Sequence, residues 1–328
     1  MDKTRGKLLH NQHLEKVANE STPIKIPASP LMESLGYGTY VNLYKLDRSP
    51  RCGQIRSPWA VKRISRRARG AGKLEYNKRI QEEAEVLKKL THPNIVGFRG
   101  VQKSEDGMYS LLLECCQTCL GTILENRFED DLGALPPKNT VKMIFDICKA
   151  LDFLHNEAKL LHGDLKSSNI LVKNDFEIFK LCDFGVSLPL DEDGFINFDK
   201  NPELQYVGTA AWLAPEVIDV KDVIDAKADI FSFGLTIYET ISLCPPHTIY
   251  IRDEDSKESF KDESWDCSGI ERAYGTRPPL PQAFVFTAEY NKILEIFYYC
   301  TNEAAEDRPC AKEIRVSLES SLNSFNLC

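Results

Sequence analysis

The chain has 328 residues, of which 42% are hydrophobic and 27% charged, with a formal net charge of −8 and a sequence pI of about 5.4. This length suits one large two-lobed domain or two ordinary ones, and the acidic balance argues against nucleic-acid binding. No apolar run approaches the roughly 18 residues that would span a membrane. Met1–Asn19 lacks the apolar core of a signal peptide, so we expect the 11 cysteines to be reduced thiols in a cytoplasmic and/or nuclear protein.

The first 30 residues are polar and show neither helical nor strand periodicity, so residues 1–30 are predicted to be largely disordered. They contain two hydroxyl–proline pairs, Thr22-Pro23 and Ser29-Pro30. These pairs suit phosphorylation by an upstream proline-directed kinase, with Thr22 as the candidate acceptor. An ordinary flexible lead-in explains them equally well.

The next part of the chain, up to Glu114, reads as strands with one helix. Three short apolar stretches have the composition of strands: Val41–Leu46, Trp59–Ile64 and Tyr109–Leu113. Residues 74–90 predict a helix, because Ile80, Ala84 and Leu87 recur at the spacing of one apolar face.

From Gly121 onward the pattern becomes helical. A helix with an apolar stripe precedes two further buried helices, predicted at 225–241 and 288–300. The stripe consists of Ile144, Ile147, Leu151 and Leu154.

The order of elements predicts an α+β fold of two lobes within one domain at residues 31–325. A small lobe at about 31–115 holds an antiparallel sheet and one helix, and a larger helical lobe follows at about 117–325. A cleft between two such lobes is a common place for a ligand to bind.

An acidic insertion at about 251–272 interrupts the larger lobe. Its residues 251–266 carry seven acidic side chains against three basic ones. Such a charge run is typical of a solvated surface loop, and a docking site for basic partners is the alternative.

The residues with the clearest chemistry are His162-Gly-Asp-Leu-Lys-Ser-Ser-Asn169, followed by Asp183-Phe-Gly185. An aspartate, a lysine and an asparagine on one loop, with another aspartate on the next, are the groups needed to transfer a phosphoryl group. The stretch resembles the catalytic loop (H-R-D-x-x-x-x-N) and metal-binding turn (D-F-G) of the protein kinases. Gly163 replaces the arginine of that family pattern.

The resemblance implies a role for each polar residue of these motifs. Asp164 is the predicted general base that takes the proton of the substrate hydroxyl, and Lys166 neutralises charge on the transferring phosphate. Asn169 and Asp183 are the predicted ligands of Mg²⁺, which prefers oxygen donors. ATP and Mg²⁺ are therefore the expected cofactors.

The segment Leu35-Gly-Tyr-Gly-Thr-Tyr-Val-Asn-Leu43 resembles the glycine-rich hairpin that covers the phosphates in the same family. Glycine suits this position because backbone without a Cβ can approach a phosphate closely. The third glycine of the family pattern is Val41 here. The residues predicted to line the ATP site are Leu35, Gly36, Gly38 and Leu43.

Trp59-Ala-Val-Lys-Arg63 resembles the strand motif V-A-I-K of the kinases. Alternation along a strand puts Ala60 and Lys62 on one face, and the resemblance assigns them to adenine and to the α- and β-phosphates. Glu83 is the predicted carboxylate that holds this lysine. Its neighbours Glu82 and Glu85 should face solvent.

Leu111-Leu-Leu-Glu-Cys-Cys116 resembles the last strand of the small lobe and the hinge, with Leu113 as gatekeeper. The backbone of Glu114 and Cys116 would then bind adenine. The closely spaced Cys115, Cys116 and Cys119 raise a structural zinc site as an alternative. No second ligand pair stands at zinc spacing, so the hinge interpretation is favoured.

Further landmarks follow in the order of the kinase family. Gly208–Glu216 resembles the end of the activation segment, Asp229–Gly234 the helix that braces the catalytic loop, and Arg308 the partner of Glu216. Lys166 is the serine/threonine form of its motif, and Thr209 agrees with it. We expect a serine/threonine protein kinase that acts on Ser/Thr residues of proteins, with dual specificity as an open alternative.

Longer stretches resemble one kinase subfamily that is related to the MAP-kinase kinases: 26–30, 35–38, 57–62, 160–169, 183–192 and 275–279. That resemblance implies activity around mitosis and phosphorylation at N-terminal Thr-Pro sites, of which Thr22 is one candidate. PDZ domains bind a free carboxylate with Ser or Thr two residues before an aliphatic end. The sequence ends Ser324-Phe-Asn-Leu-Cys328, with Asn326 at that position, so PDZ binding is not expected.

Gly163 also bears on regulation, because the family's arginine at this position grips a phosphorylated activation loop and glycine offers no such donor. Between the D-F-G turn and Glu216 the only hydroxyl residues are Ser187, Tyr206 and Thr209. We therefore expect activity that does not depend on loop phosphorylation read through this position.

Two rival functions remain for a chain with these motifs. The missing third glycine and Gly163 are compatible with a pseudokinase scaffold, but every predicted catalytic residue is present. A kinase-like enzyme acting on a small molecule is the second rival. Ala214-Pro-Glu216 and Thr209 favour a protein substrate instead.

Overall fold

A computed structural model describes most of the chain from residue 32 to residue 325. The described residues are 32–37, 41–51, 54–65, 70–196, 198, 202, 204–220, 223–248, 273–282, 284–285, 287–319, 322 and 325. Several predictions fall outside them: the disordered segment 1–30 with Thr22, Gly38, the acidic insertion and Asn326.

The described residues form two compact units. The first takes the chain up to Gln81 together with Arg99–Cys115, and the second takes Glu82–Phe98 together with the chain from Cys116 onward. The predicted small lobe ran without interruption from 31 to 115, so the placement of Glu82–Phe98 differs from it. The mixed α+β class is confirmed, with the sheet in the N-terminal region and most helices in the C-terminal region.

The first unit contains a five-stranded sheet in the order β1-β2-β3-β5-β4. Its strands are β1 (Met32–Tyr37), β2 (Val41–Arg51), β3 (Gln54–Ile64), β4 (Phe98–Lys103) and β5 (Tyr109–Glu114). Side chains on alternate positions form a small apolar cluster of Tyr44, Leu46, Trp59, Val61 and Leu112. Because successive side chains point to opposite faces, Ala60 and Lys62 lie on the other face of β3.

Helix α1 (Gly70–Leu87) confirms the predicted apolar face, since Ile80, Ala84 and Leu87 are all buried. The helix ends earlier than the predicted residue 90. The N–H groups of Lys89 and Leu90 bond to carbonyls three residues back instead of four, which closes the last turn.

The second unit is mainly helical, with short strands. Its helices are α2 (Leu120–Glu129), α3 (Pro137–Asp152), α4 (Pro215–Ile218), α5 (Lys227–Ser242), α6 (Asn291–Cys300) and α7 (Ala311–Ser317). A three-stranded sheet joins β6 (Thr118–Cys119), β8 (Ile170–Lys173) and β9 (Ile178–Leu181), and β7 (Leu160–Leu161) pairs with β10 (Leu188–Pro189). Among the described helices, none combines the length and apolar character needed to cross a bilayer.

The predicted apolar stripe is confirmed, because Ile144, Ile147, Leu151 and Leu154 are all fully buried. Helix α5 is buried all round, from Ala228 to Ile241. Gly234 allows this burial, since a Cβ there would lie 2.8 Å from the Cβ of Cys300 on α6. A helix that is hydrophobic and buried on every side lies in the interior of its unit, where several segments can pack against it.

A buried ion pair joins the end of the activation segment to the C-terminal part of the second unit. Arg308 is 1% exposed and donates to both carboxylate oxygens of Glu216, at 2.6 and 2.8 Å. Its remaining N–H groups bond to the carbonyls of Asn302, Lys227 and Glu303. The predicted pairing of these two residues is therefore confirmed.

Replacing Arg308 by Ala should lower the free energy of unfolding by about 3–5 kcal/mol, because Glu216 would remain buried without its cation. Urea denaturation measures this. Arg315→Ala is the matched control: Arg315 lies 4.0 Å from Asp152 near the surface, and its loss should stay within about 1 kcal/mol. Equal losses for both variants would contradict the assignment.

Candidate active site

Asp229, a fully buried residue of α5, binds the backbone of the catalytic loop. Its carboxylate accepts the N–H of His162 at 2.8 Å and the N–H of Gly163 at 3.0 Å, and His155 Nε2 lies 2.9 Å away. Burial alone would raise the pKa of Asp229, but the hydrogen bonds from His155 and the loop outweigh it and hold that pKa below its ordinary value. Asp229 therefore stays charged and fixes the loop backbone.

Gly163 occupies a backbone conformation that favours glycine, with φ of +81°. A Cβ at this position would lie 3.0 Å from the carbonyl oxygen of Val186. Glycine, which replaces the arginine of the family pattern, therefore fits a left-handed backbone position that has little room for a side chain.

The structure brings three of the predicted residues into one cluster around Asp164. Asn169 Nδ2 donates to Asp164 Oδ2 at 3.0 Å, and Lys166 Nζ lies 2.9 Å from the same oxygen. The other oxygen, Oδ1, accepts the N–H of Thr209 at 3.0 Å and its hydroxyl at 2.6 Å. A carboxylate, an ammonium group and an amide therefore lie in direct contact.

Thr209 is a member of this site that the sequence pattern did not predict as one. Its hydroxyl donates to Asp164 and accepts from Lys166 Nζ at 2.6 Å. The only sequence indication was its place in the activation-segment motif, which agreed with a serine/threonine enzyme. Its contact with a residue 45 positions earlier depends on the tertiary fold.

A backbone hydrogen bond joins the segments that carry Asn169 and Asp183, the predicted metal ligands. The N–H of Cys182 donates to the carbonyl of Asn169 at 3.0 Å, and its thiol makes a second, longer bond to the same oxygen. Asp183 follows directly in a left-handed conformation with φ of +64°. An amide and a carboxylate are the oxygen donors that Mg²⁺ accepts.

Zinc at the hinge cysteines is the alternative use of Cys115, Cys116 and Cys119. Within the described ranges, no group of three or more His, Cys, Asp or Glu side chains could hold a metal ion. Cys119 has another use, because its sulfur accepts the N–H of Thr122 and caps α2.

Glu83 is 1% exposed, whereas Glu82 and Glu85 are exposed, as the helical spacing predicted. A Cβ added to Gly185 would lie 3.8 Å from Glu83 Oε2, so the carboxylate lies beside the Asp183-Phe-Gly turn. The chain after α1 is fixed to β9 by Asn94, which donates to the Phe179 carbonyl at 2.9 Å. The kinase pattern that contains Glu83 also ends at Asn94, but the sequence assigned no role to this asparagine.

In the first unit, the predicted ATP-binding residues follow the strand register. Gly36, Leu43 and Lys62 are paired across β1, β2 and β3, and Ala60 pairs with Leu113 of β5. Glu114 ends β5 opposite Trp59, and Leu35 lies at the irregularity between Ser34 and Gly36 in the β1–β2 pairing. Cys116, the last predicted adenine contact, begins the main part of the second unit and is partly exposed.

Comparison with known proteins decides the family. A family model described as the protein kinase domain matches residues 30–317. The chain belongs to the protein kinase family. It is 43% identical over 303 residues to the lymphokine-activated killer T-cell-originated protein kinase of Homo sapiens, covering 92% of each chain.

Two more distant relatives match over a smaller share of their own length. The chain is 30% identical to mitogen-activated protein kinase kinase kinase 1a of Physcomitrium patens, over 70% of this chain and 28% of that protein. It is 30% identical to cell division control protein 7 of Schizosaccharomyces pombe, over 75% of this chain and 20% of that one. The predicted resemblance is confirmed, and the enzyme is a protein serine/threonine kinase that acts on protein substrates.

Gly163→Ala should destabilise this kinase more than Gly107→Ala, although both glycines have φ of +81°. Gly107 has open space around its Cβ position, so its replacement carries only the left-handed backbone strain of about 1–2 kcal/mol. At Gly163 the Val186 carbonyl adds about 1 kcal/mol or more. Urea denaturation of both variants measures the difference, and an equal or smaller loss at Gly163 would show that the loop relaxes.

Proposed function

We propose that the kinase transfers the γ-phosphoryl group of ATP to Ser and Thr hydroxyls of protein substrates, in a reaction that requires Mg²⁺. The supporting observation is the hydroxyl of Thr209, which donates to Asp164 Oδ1 and accepts from Lys166 Nζ, both at 2.6 Å. A carboxylate and an ammonium group that jointly bind one aliphatic hydroxyl have the geometry that a substrate hydroxyl requires.

In the proposed reaction, the substrate hydroxyl oxygen forms a bond to the γ-phosphorus. The bond between the γ-phosphorus and the oxygen that bridges it to the β-phosphate breaks, and ADP leaves. Asp164 accepts the hydroxyl proton and later releases it to solvent. Lys166 offsets the charge that develops on the transferring group. Asn169 keeps the carboxylate of Asp164 oriented through its Nδ2 bond.

Asn169 and Asp183 are the residues proposed to hold Mg²⁺. This ion usually takes one or two protein oxygens and completes its coordination with water and substrate phosphates. That preference fits Asn169 and Asp183, which offer one amide and one carboxylate oxygen donor. When bound, Mg²⁺ neutralises negative charge on the phosphates.

The ATP-binding roles rest on the family resemblance and on the strand register. Lys62 and Glu83 are proposed to act at the phosphates, and the backbone of Glu114 and Cys116 at adenine. Leu35, Gly36, Gly38, Leu43 and Ala60 are proposed to enclose the nucleotide. Two observations support these proposed roles. Glu83 is buried, and Ala60 lies on the same face of β3 as Lys62.

The cellular role that we propose is mitotic or proliferative signalling in the cytoplasm and/or nucleus, in the manner of a MAP-kinase kinase. Two relatives support it through their names, one for cell division control and one for a mitogen-activated kinase cascade. Phosphorylation of Thr22 by a proline-directed kinase and dual specificity toward Tyr belong to the same proposal.

Asp164→Asn should lower kcat for ³²P transfer to a generic basic protein by about 10²–10⁴, because an amide cannot take the hydroxyl proton. ATP binding should persist, since Asp164 does not act at the nucleotide in this proposal. Asp152→Asn, the same change at a partly exposed carboxylate on α3, is the matched control and should leave kcat unchanged. Nucleotide binding without transfer by the wild type would favour the scaffold alternative.

Phosphatase treatment should leave the activity intact, because the described activation segment is held by bonds that need no phosphate. Leu190 donates to the Lys159 carbonyl at 2.9 Å, and Ile196 donates to the Ile224 carbonyl at 2.8 Å. The Oγ of Ser187 is buried and the hydroxyl of Thr209 is engaged at Asp164. Activity that is lost on treatment and recovered with an activation-segment phosphate would refute this expectation.

A further inference from the structure

Helix α5 carries a second buried carboxylate, Glu239, which is 5% exposed. Its oxygens accept the N–H of Ser167 at 3.0 Å, the hydroxyl of Ser167 at 2.5 Å and the indole N–H of Trp212 at 2.9 Å. Two of these donors belong to the catalytic loop and the third belongs to the activation segment. One side chain therefore holds two segments that are separate in sequence.

The bonded residues stand next to the groups that contact Asp164. Ser167 follows Lys166 directly, and the N–H of Trp212 donates to the carbonyl of Thr209 at 2.9 Å. Trp212 is further fixed by Ser232 of α5, whose hydroxyl donates to the Trp212 carbonyl at 2.7 Å. Displacement of Glu239 would therefore move Lys166 and Thr209 relative to each other.

We propose that Glu239 is a positioning residue, which sets the distance between Lys166 and Thr209 by binding Ser167 and Trp212. It touches none of the reacting groups and acts through these two neighbours. The proposal rests on the phosphoryl transfer proposed above and adds a residue that lies outside the kinase motifs of this chain. A merely structural carboxylate would contribute to folding without changing the geometry at Asp164.

The energetics favour a specific use of this group. An apolar side chain would fill a buried helix position at less cost than a carboxylate that must find three donors. Burial raises the pKa of Glu239 to about 7, against the opposing hydrogen bonds of Ser167 and Trp212 and the positive charge of Lys166. The carboxylate form, which accepts all three bonds, is thus formed at some expense of stability.

The test compares Glu239→Gln with variants that each remove one bond. Ser167→Ala deletes the hydroxyl but keeps the backbone donor, and Trp212→Phe deletes the indole N–H. Glu239→Gln should lower kcat about 10–100-fold, the value of a hydrogen bond to a charged group, with KM for ATP changed less than about 3-fold. The two single-bond variants should lose less, and combining either with Glu239→Gln should add little further loss.

Ile237→Val is the control for a general loss of packing in α5, because the Ile237 side chain is apolar and fully buried. It should lower the urea midpoint without changing kcat. If Glu239→Gln behaves like Ile237→Val, with reduced stability and wild-type kcat, the proposal is overturned. If Glu239→Gln fails to fold, Ser167→Ala and Trp212→Phe decide by the same comparison.

A second readout does not require activity. In the wild type, Lys166 Nζ is bonded to Thr209 and Asp164, so acylation of Lys166 by an amine reagent should be slow. Peptide mapping should show faster acylation in Glu239→Gln and an unchanged rate in Ile237→Val; equal rates would overturn the proposal. Wild-type transfer that Asp164→Asn abolishes would support the proposed function whatever Glu239→Gln does, so the two can fail separately.

The pH dependence of stability offers an independent check on the buried carboxylate. The pKa of Glu239 is about 7 in the folded protein and 4.5 ordinarily, so its neutral form favours the folded state. This contribution to the free energy of unfolding is present below pH 4.5 and is lost as the pH rises from 4.5 through about 7. Glu239→Gln should lack that decline when its urea midpoint is compared with that of the wild type. Parallel curves would show that Glu239 is not the buried group assumed.

Discussion

Three backbone N–H groups of the catalytic loop donate to carboxylates of one buried helix. His162 and Gly163 donate to Asp229, and Ser167 donates to Glu239. These two acidic residues stand ten positions apart, which is about 15 Å along the axis of α5. The loop is therefore fixed at both ends by a rigid element, and the residues between, Asp164 and Lys166, inherit that rigidity.

Such an arrangement requires the helix to be enclosed, because a carboxylate in contact with water would bind its donors more weakly. The close approach allowed by Gly234 and the ion pair between Glu216 and Arg308 contribute to that enclosure. The same second unit also holds Asn94, which donates to the Phe179 carbonyl, and Glu83, which lies beside the Asp183-Phe-Gly turn. Precision at the site is thus a property of the whole second unit.

Sequence patterns predicted those features that depend on local spacing. The apolar period of residues 74–90 placed Glu83 inside and its acidic neighbours outside, and the motifs placed Asp164, Lys166 and Asn169 on one loop. Local spacing contains no information about contacts between residues that are distant in sequence and are brought together by the fold. The contact of Thr209 with Asp164 spans 45 residues and that of Ser167 with Glu239 spans 72, so neither followed from a period or a single motif.

The pairing of Glu216 with Arg308 also constrains how the protein is made. The two residues are separated by 92 positions, so a ribosome has finished the activation segment long before it adds the arginine. At about 5–20 residues per second, that interval is roughly 5–18 s. During it, Glu216 has no cation to bury against, and the second unit reaches its final packing only after the C-terminal segment has emerged. A chain that terminates before residue 308 therefore contains the complete catalytic loop, but its Glu216 lacks the cation that pairs with it in the folded protein.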